Sequence, residues 1–176
     1  APEDRILPRR LANFATFAAC AAMMAFALYS EHVLGLYPCP LCIFQRLAVI
    51  VMGLVALVAA VHNPAGVGRM VYTVLGVVVG GLGIAVAGRH VWLQNLPPDQ
   101  VPACGGASLD YLLETLPLFD ALNQVLNASG ECAEVSWRFL GLTMPTWVLV
   151  ALSVLSVWIV LSNWRLPARR AAADSI

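Results

Sequence analysis

Polar and apolar positions are segregated along this chain rather than alternating through it. Four runs lack any Asp, Glu, Lys or Arg: Leu11 to Ser30, Leu47 to Gly68, Met70 to Gly88 and Phe139 to Trp164. Each is close to or above the roughly 18 to 20 residues that carry a helix across a bilayer. His62-Asn-Pro-Ala-Gly closes the second run, so its span ends near Val61 and reaches back through Arg46 to about Leu41. The pattern predicts an all-α membrane protein, a four-transmembrane-helix bundle with spans at about 11–30, 41–61, 70–88 and 144–163. Residues at about 31–40 and 89–143 remain as loops, and residues 1–176 read as a single integral membrane domain. Arg5, Arg9 and Arg10 before the first run also suit a secretory signal peptide. That run exceeds the roughly 7 to 15 residues of such a core, and Tyr29-Ser-Glu-His offers no small-residue cleavage site, so a span is expected.

Inside the long loop the pattern changes. Leu109, Leu112, Leu113 and Leu116 recur at helical spacing until Pro117 interrupts them. The segment is too acidic to span and too apolar to float, which predicts a short amphipathic helix on the membrane surface or against the bundle.

Composition and charge add a direction. With 60% hydrophobic and 11% charged residues, the chain is far from an ordinary soluble domain. Its zero net charge hides a polarity and gives no sign of nucleic-acid binding. Arg5, Arg9, Arg10, Arg69, Arg165, Arg169 and Arg170 lie on one side of the predicted bundle. The opposite segments hold Arg46, Arg89 and Arg138 against seven acids, so both termini are expected in the cytoplasm and the two loops outside. Trp92, Trp137 and Trp147 then read as anchors of an interfacial aromatic belt, and His32 and His62 as span-end residues.

This topology puts Cys39, Cys42, Cys104 and Cys132 on the external side and leaves Cys20 mid-span as a small packing residue. An oxidising exterior favours pairing. Spacing favours Cys39 with Cys42 and Cys104 with Cys132, although three pairings are open. A zinc cage is a competing use of four cysteines, but zinc ribbons usually carry two short knuckles, and Cys104 and Cys132 are 28 positions apart. A bridge across that span suits a structural staple worth roughly 3 to 4 kcal/mol. The Cys39 and Cys42 loop is too short to gain much from closure, and such a pair is suited to reversible redox exchange.

The run Tyr37-Pro-Cys-Pro-Leu-Cys-Ile-Phe-Gln-Arg46 sharpens that reading. Pro38 and Pro40 disfavour helix before Leu41, which puts Cys42 in the first turn of the second span. Unpaired N–H groups there favour a thiolate. Arg46, one turn deeper on the same face, adds positive charge, although snorkelling to the interface would explain a lone arginine. A thiolate beside a cation can pass electrons to an electron-poor acceptor dissolved in the membrane, and a lipid-soluble quinone is the natural candidate. Arg46 would stabilise the negative charge that builds on it.

The Pro-Cys-Pro-Leu-Cys-Ile-Phe-Gln-Arg run, together with Gly130-Glu-Cys-Ala-Glu-Val-Ser-Trp-Arg-Phe-Leu-Gly-Leu-Thr-Met-Pro-Thr-Trp147, closely resembles the disulfide bond formation protein B (DsbB) family across nearly the whole chain. The resemblance implies a bacterial inner-membrane enzyme, a protein-disulfide:quinone oxidoreductase. Its electrons would come from a periplasmic thioredoxin-like thiol oxidase (DsbA) and go to ubiquinone or menaquinone. On that resemblance Cys104 is attacked by the reduced partner, Cys132 exchanges with Cys39, and Cys42 contacts the quinone. Arg46, His90 and Met144 match positions of the quinone site. Gln45 stands where some members carry an acid. Cys104, between Pro97-Pro-Asp-Gln-Val-Pro and Gly105-Gly, is expected on an accessible stretch.

Two rivals remain from sequence. Vitamin K epoxide reductase-like enzymes are also helical bundles with a loop pair and a Cys-x-x-Cys, but there the active pair falls late in the bundle's order. A non-enzymatic tetraspan scaffold with a stapled loop would leave Cys39 and Cys42 without quinone-dependent cycling.

Overall fold

Hydrocarbon offers no partner for backbone N–H and C=O groups, so each apolar run must satisfy them within itself, as a helix. The computed structural model describes residues 7–101, 109–127 and 130–165. Helices α1 (Leu7–His32), α2 (Pro40–His62) and α3 (Val67–Gln94) are followed by two short helices, α4 (Leu109–Thr115) and α5 (Leu118–Asn127). A 3-10 turn (Gly130–Ala133), a hairpin of β1 (Arg138–Phe139) and β2 (Leu142–Thr143), and helix α6 (Met144–Arg165) complete the order. Helices α1, α2, α3 and α6 are each long and apolar enough to cross a membrane, and the protein is an all-α multi-pass membrane protein.

Two opposed stripes organise these helices. On α3, Val67, Val71, Val74, Val78 and Leu82 recur every three or four residues and point outward, as do Val150, Val154, Val157 and Leu161 on α6. Their outward direction suits lipid. The inward stripe of α3 is Gly76, Gly80, Gly83, Ala87 and His90, small residues that admit close approach and then one polar side chain in the same phase. A Cβ on Gly83 would stand 2.7 Å from Leu152 Cδ1 and 3.0 Å from Ala48 Cβ, which is why α6 and α2 can both lie against α3. Within a bilayer lipid tails are as apolar as leucine, so this packing rather than water exclusion holds the helices together.

Helix α1 packs on α2, α2 on α3 and α3 on α6, and α6 returns to α1. At one end Arg9 Nη2 donates to Pro64 O at 3.3 Å and Arg10 Nε to Ala60 O at 3.0 Å. Arg10 thus caps a carbonyl in the last turn of α2, and Arg9 holds the link that follows it. Trp158 Nε1 donates to Ala12 O at 3.3 Å and ties α6 to α1. Cys20 is buried in the mid-bundle core with Val49, Met52, Leu152 and Ile159.

At the opposite end the loop folds back. The expected amphipathic segment forms two helices rather than one, because Pro117 cannot continue α4 and instead stands immediately before α5, its carbonyl accepting from Ala121 N at 3.0 Å. Leu112, Ala121 and Val125 are buried with Leu41, Leu93 and Cys132, so the loop helices cover the ends of α2 and α3.

Replacing Gly83 with valine is expected to lower stability by about 1–3 kcal/mol, the range for overpacking a tight interface. Gly81→Val, where an added Cβ meets nothing within 4 Å, serves as the control. Thermal unfolding in detergent micelles should separate the two; equal midpoints would refute the close-packing account.

Candidate functional site

The site begins with the way α2 starts. Cys39 is its N-cap, extended at φ −74° and ψ 165°, and Pro40 occupies the first turn, where a missing N–H costs nothing. Ile43 N bonds Cys39 O at 3.2 Å, so the helix closes directly onto the cysteine. One turn in, Cys42 brings its Sγ to 3.3 Å from Cys39 Sγ.

Cys132, 1% exposed in the 3-10 turn, brings its Sγ to 2.9 Å from Cys39 Sγ. Spacing alone favours Cys39 with Cys42, yet Cys39 touches two sulfurs and the nearer belongs to the long loop. The Cys39 thiol is pushed up to about 12, first by its hydrogen bond with Cys132 and further by burial, which together outweigh the opposing hydrogen bond with Cys42. Cys104 lies outside the described residues.

His90, 2% exposed, comes from the inward stripe of α3. Its Nε2 is 3.8 Å from Cys39 Sγ and its Nδ1 is 3.9 Å from Cys42 Sγ. Gln45, 3% exposed, holds the ring through its amide nitrogen, 3.0 Å from Nδ1. In that arrangement Nδ1 accepts and Nε2 carries the proton toward Cys39.

Arg46 is not bonded to Cys42. Its Nη1 pairs with Glu31 Oε2 at the end of α1, and its Nη2 donates to Ala27 O at 3.3 Å. The cation is therefore compensated from α1, and the influence on Cys42 expected from helical register is reduced by this pairing.

Cys39, Cys42, Gln45, Arg46 and His90 line one wall of a cavity of about 480 Å³. Met23, Val49, Val148 and Met144, the first residue of α6, supply apolar walls. Gln94 Oε1, on a residue that also lines the cavity, is buried without a hydrogen-bond partner. An apolar cleft of this size with a few convergent polar groups suits a planar, hydrogen-bonding organic molecule.

Trp137 and Trp147 hold the hairpin to the helices. Trp137 stacks on Phe139 at 5.9 Å and meets Phe26 of α1 edge-on at 5.6 Å, while Trp147 Nε1 donates to Phe139 O at 3.2 Å. The hairpin turns through Leu140 and Gly141, both left-handed at φ 51° and 79°, and this bracket fixes where α6, and so Met144, begins. Trp92 is half exposed, with the Arg89 guanidinium 4.5 Å from its ring centroid.

Two residues of the site escape a motif reading. Gln45 lies in phase with Leu41, Val49, Met52 and Ala56 on the buried stripe of α2, which marks it as inward-facing. Glu31 is the acid that ends the charge-free run of α1, a position that signals a nearby cation.

The geometry thus joins a dithiol, a third sulfur and a polar-edged cavity within a membrane bundle, and comparison with known proteins agrees. The family profile described as disulfide bond formation protein DsbB matches residues 9–162. Disulfide bond formation protein B of Marinobacter nauticus is 55% identical over 141 residues, 80% of this chain and 83% of its own length. Its namesake in Nitrosococcus oceani is 55% identical over 148 residues, 82% of this chain and 87% of its own. That of a Psychrobacter species is 48% identical over 171 residues, 96% and 99% of the two chains. With the profile match running from the first helix to the last, the chain belongs to the disulfide bond formation protein DsbB family.

Proposed function

We propose that this disulfide oxidoreductase takes electrons from a thioredoxin-like thiol oxidase of the DsbA kind and delivers them to a membrane quinone. The observation that carries this reading is the position of Cys39, with Cys132 Sγ at 2.9 Å and Cys42 Sγ, on a residue that lines the cavity, at 3.3 Å. The chain acts as one integral domain of the bacterial inner membrane, with its termini cytoplasmic and its thiol end periplasmic. The arginine distribution supports that orientation.

Exchange would begin when the reduced partner attacks Cys104 of a Cys104–Cys132 disulfide and Cys132 leaves as thiolate. Cys132 then attacks Cys39 of the Cys39–Cys42 disulfide and expels Cys42 as thiolate toward the cavity. The partner's second thiolate then displaces Cys104, and Cys104 attacks Cys132 to restore their disulfide and release Cys39 as thiolate. Each exchange thus makes one S–S bond and breaks one, and the Cys39–Cys42 disulfide would re-form as the electron pair passes through Cys42 to the acceptor. Every 30 mV of uphill exchange costs about 1.4 kcal/mol, so the final acceptor must drive the sequence. A bound quinone supplies that two-electron acceptor.

The residues present suit such a group. Arg46 provides a charged donor at the cavity wall, His90 a ring held in one orientation by Gln45, and Gln94 Oε1 an unpartnered acceptor that would suit the O–H of the reduced, hydroquinone form. Met144, Met23 and Val148 exclude water and accommodate an apolar body. Glu31 holds the guanidinium in place, which lowers the entropy to be lost when a carbonyl takes its hydrogen bond.

Cys42→Ser is expected to abolish quinone reduction while leaving mixed-disulfide formation at Cys104 intact, read by quinone absorbance and by trapping the partner adduct. Quinone reduction at an undiminished rate in that variant would sink the assignment. Arg46→Gln should raise the apparent KM for quinone by about 10- to 100-fold, the equivalent of one charge-assisted hydrogen bond worth about 1.5–3 kcal/mol. Unchanged quinone kinetics would return Arg46 to an interfacial role.

A further inference from the structure

Cys39, Cys42 and His90 have a geometry that electron transfer alone does not require. One ligand atom from each lies within 4.8 Å of the others. A tetrahedral zinc ion, at about 2.3 Å from sulfur and about 2.0–2.1 Å from imidazole nitrogen, spaces its ligands about 3.5–3.8 Å apart. Cys39 Sγ stands 3.3 Å from Cys42 Sγ and 3.8 Å from His90 Nε2, two edges already near that spacing, and rotation of the Cys42 side chain and the imidazole within the 4.8 Å cluster would close the third.

We infer that Cys39, Cys42 and His90 form a binding site for a thiophilic divalent cation, Zn2+ or Cd2+, which exists only while the Cys39 and Cys42 pair is reduced. Two metal–sulfur bonds and one metal–nitrogen bond form, the two thiol protons pass to solvent, and no electrons move. His90 would bind through Nε2, with its proton transferred to Nδ1. Gln45 already sits 3.0 Å from Nδ1, and rotating its amide presents Oε1 to accept that proton's hydrogen bond. A water from the cavity fills the fourth position, as in open three-ligand zinc sites. The oxidised pair has no thiolate to offer, so the site vanishes with the disulfide.

The consequence is a redox-gated block. A cation seated here occupies the sulfur that Cys132 must reach and the sulfur that faces the cavity. Metal binding rests on the geometry alone, whereas inhibition of quinone reduction rests on the function proposed above.

The test uses detergent-purified full chain carrying Cys104→Ser and Cys132→Ser, reduced with a phosphine and titrated with Cd2+. One Cd2+ per chain, with a thiolate-to-cadmium ultraviolet band, is expected in the reduced form and none after the Cys39–Cys42 disulfide is formed. His90→Ala should weaken Cd2+ binding by at least about ten-fold, and Gln45→Met by about ten-fold through loss of the group that orients the imidazole. Absence of the band in the reduced chain, equal binding by the oxidised chain, or unchanged affinity in His90→Ala would each overturn the site. Should the double variant fail to fold, reduced wild-type chain gives the same answer by mass spectrometry. There Cd2+ should protect Cys39 and Cys42 from alkylation, and unprotected cysteines would refute the proposal. Cd2+ should also stop quinone reduction by the wild-type chain, and an unchanged rate under saturating Cd2+ would overturn the block. A chain that binds Cd2+ but never reduces quinone supports the metal site and overturns the quinone reading instead.

Discussion

Where α2 is allowed to begin sets the geometry of everything around the thiols. Pro40 lacks the N–H that would let the helix extend backwards, and its ring pushes Cys39 into the extended conformation of an N-cap. The two sulfurs then sit on either side of the helix start, with Cys39 outside the helical bonding and Cys42 within its first turn. From there Cys39 can meet a loop and Cys42 can meet a cavity between helices. A helix starting one turn earlier would carry Cys39 onto the helix, away from the loop that presents Cys132.

A second constraint comes from charge. Arg46, with about a fifth of its side chain exposed, sits nearly two turns inside α2 and cannot rely on water alone. Glu31 and the Ala27 carbonyl, both from α1, satisfy it, so the α1 and α2 contact is electrostatic at this end and apolar further in. Gln45 does the same for His90 across α2 and α3 with a neutral amide. A carboxylate at both Glu31 and position 45 would crowd negative charge beside the thiols. A single acid on α1 and an amide on α2 leave Arg46 paired and His90 oriented with less of it.

The four long helices were legible in the sequence because a membrane tolerates few alternatives to an apolar helix, and the absence of charge over each run is a local signal. The candidate dithiol was legible for the same reason: two cysteines, two prolines and an arginine lie within one short run. The contacts that finish the site are of another kind. Cys132 meets Cys39 across 93 residues, Gln45 meets His90 across 45, and Glu31 meets Arg46 across 15. Such pairs leave no periodic trace, and only helical phase hints at them, with His90 continuing the glycine seam of α3 and Gln45 the buried seam of α2. The loop was half legible: its leucines announced a helix, and Pro117 marked the break. That both halves would pack over Leu41 and Leu93 depended on a surface that exists only once the bundle is assembled.

That assembled surface links exchange to water exclusion. Leu112, Ala121 and Val125 from the loop helices join Leu41, Leu93 and Cys132 in one buried cluster, with Cys39 packed against it. The apolar contacts that hold the loop down are therefore the same ones that keep Cys132 dry and beside Cys39. The burial of Cys132 and its contact with Cys39 thus rest on the same loop packing. Thiolates are more sensitive to their surroundings in a dry site, where a neighbouring charge or dipole acts through a low dielectric. His90, 3.8 Å from Cys39 Sγ and 3.9 Å from Cys42 Sγ, is therefore the group best placed to act on the sulfurs while Cys132 lies beside Cys39.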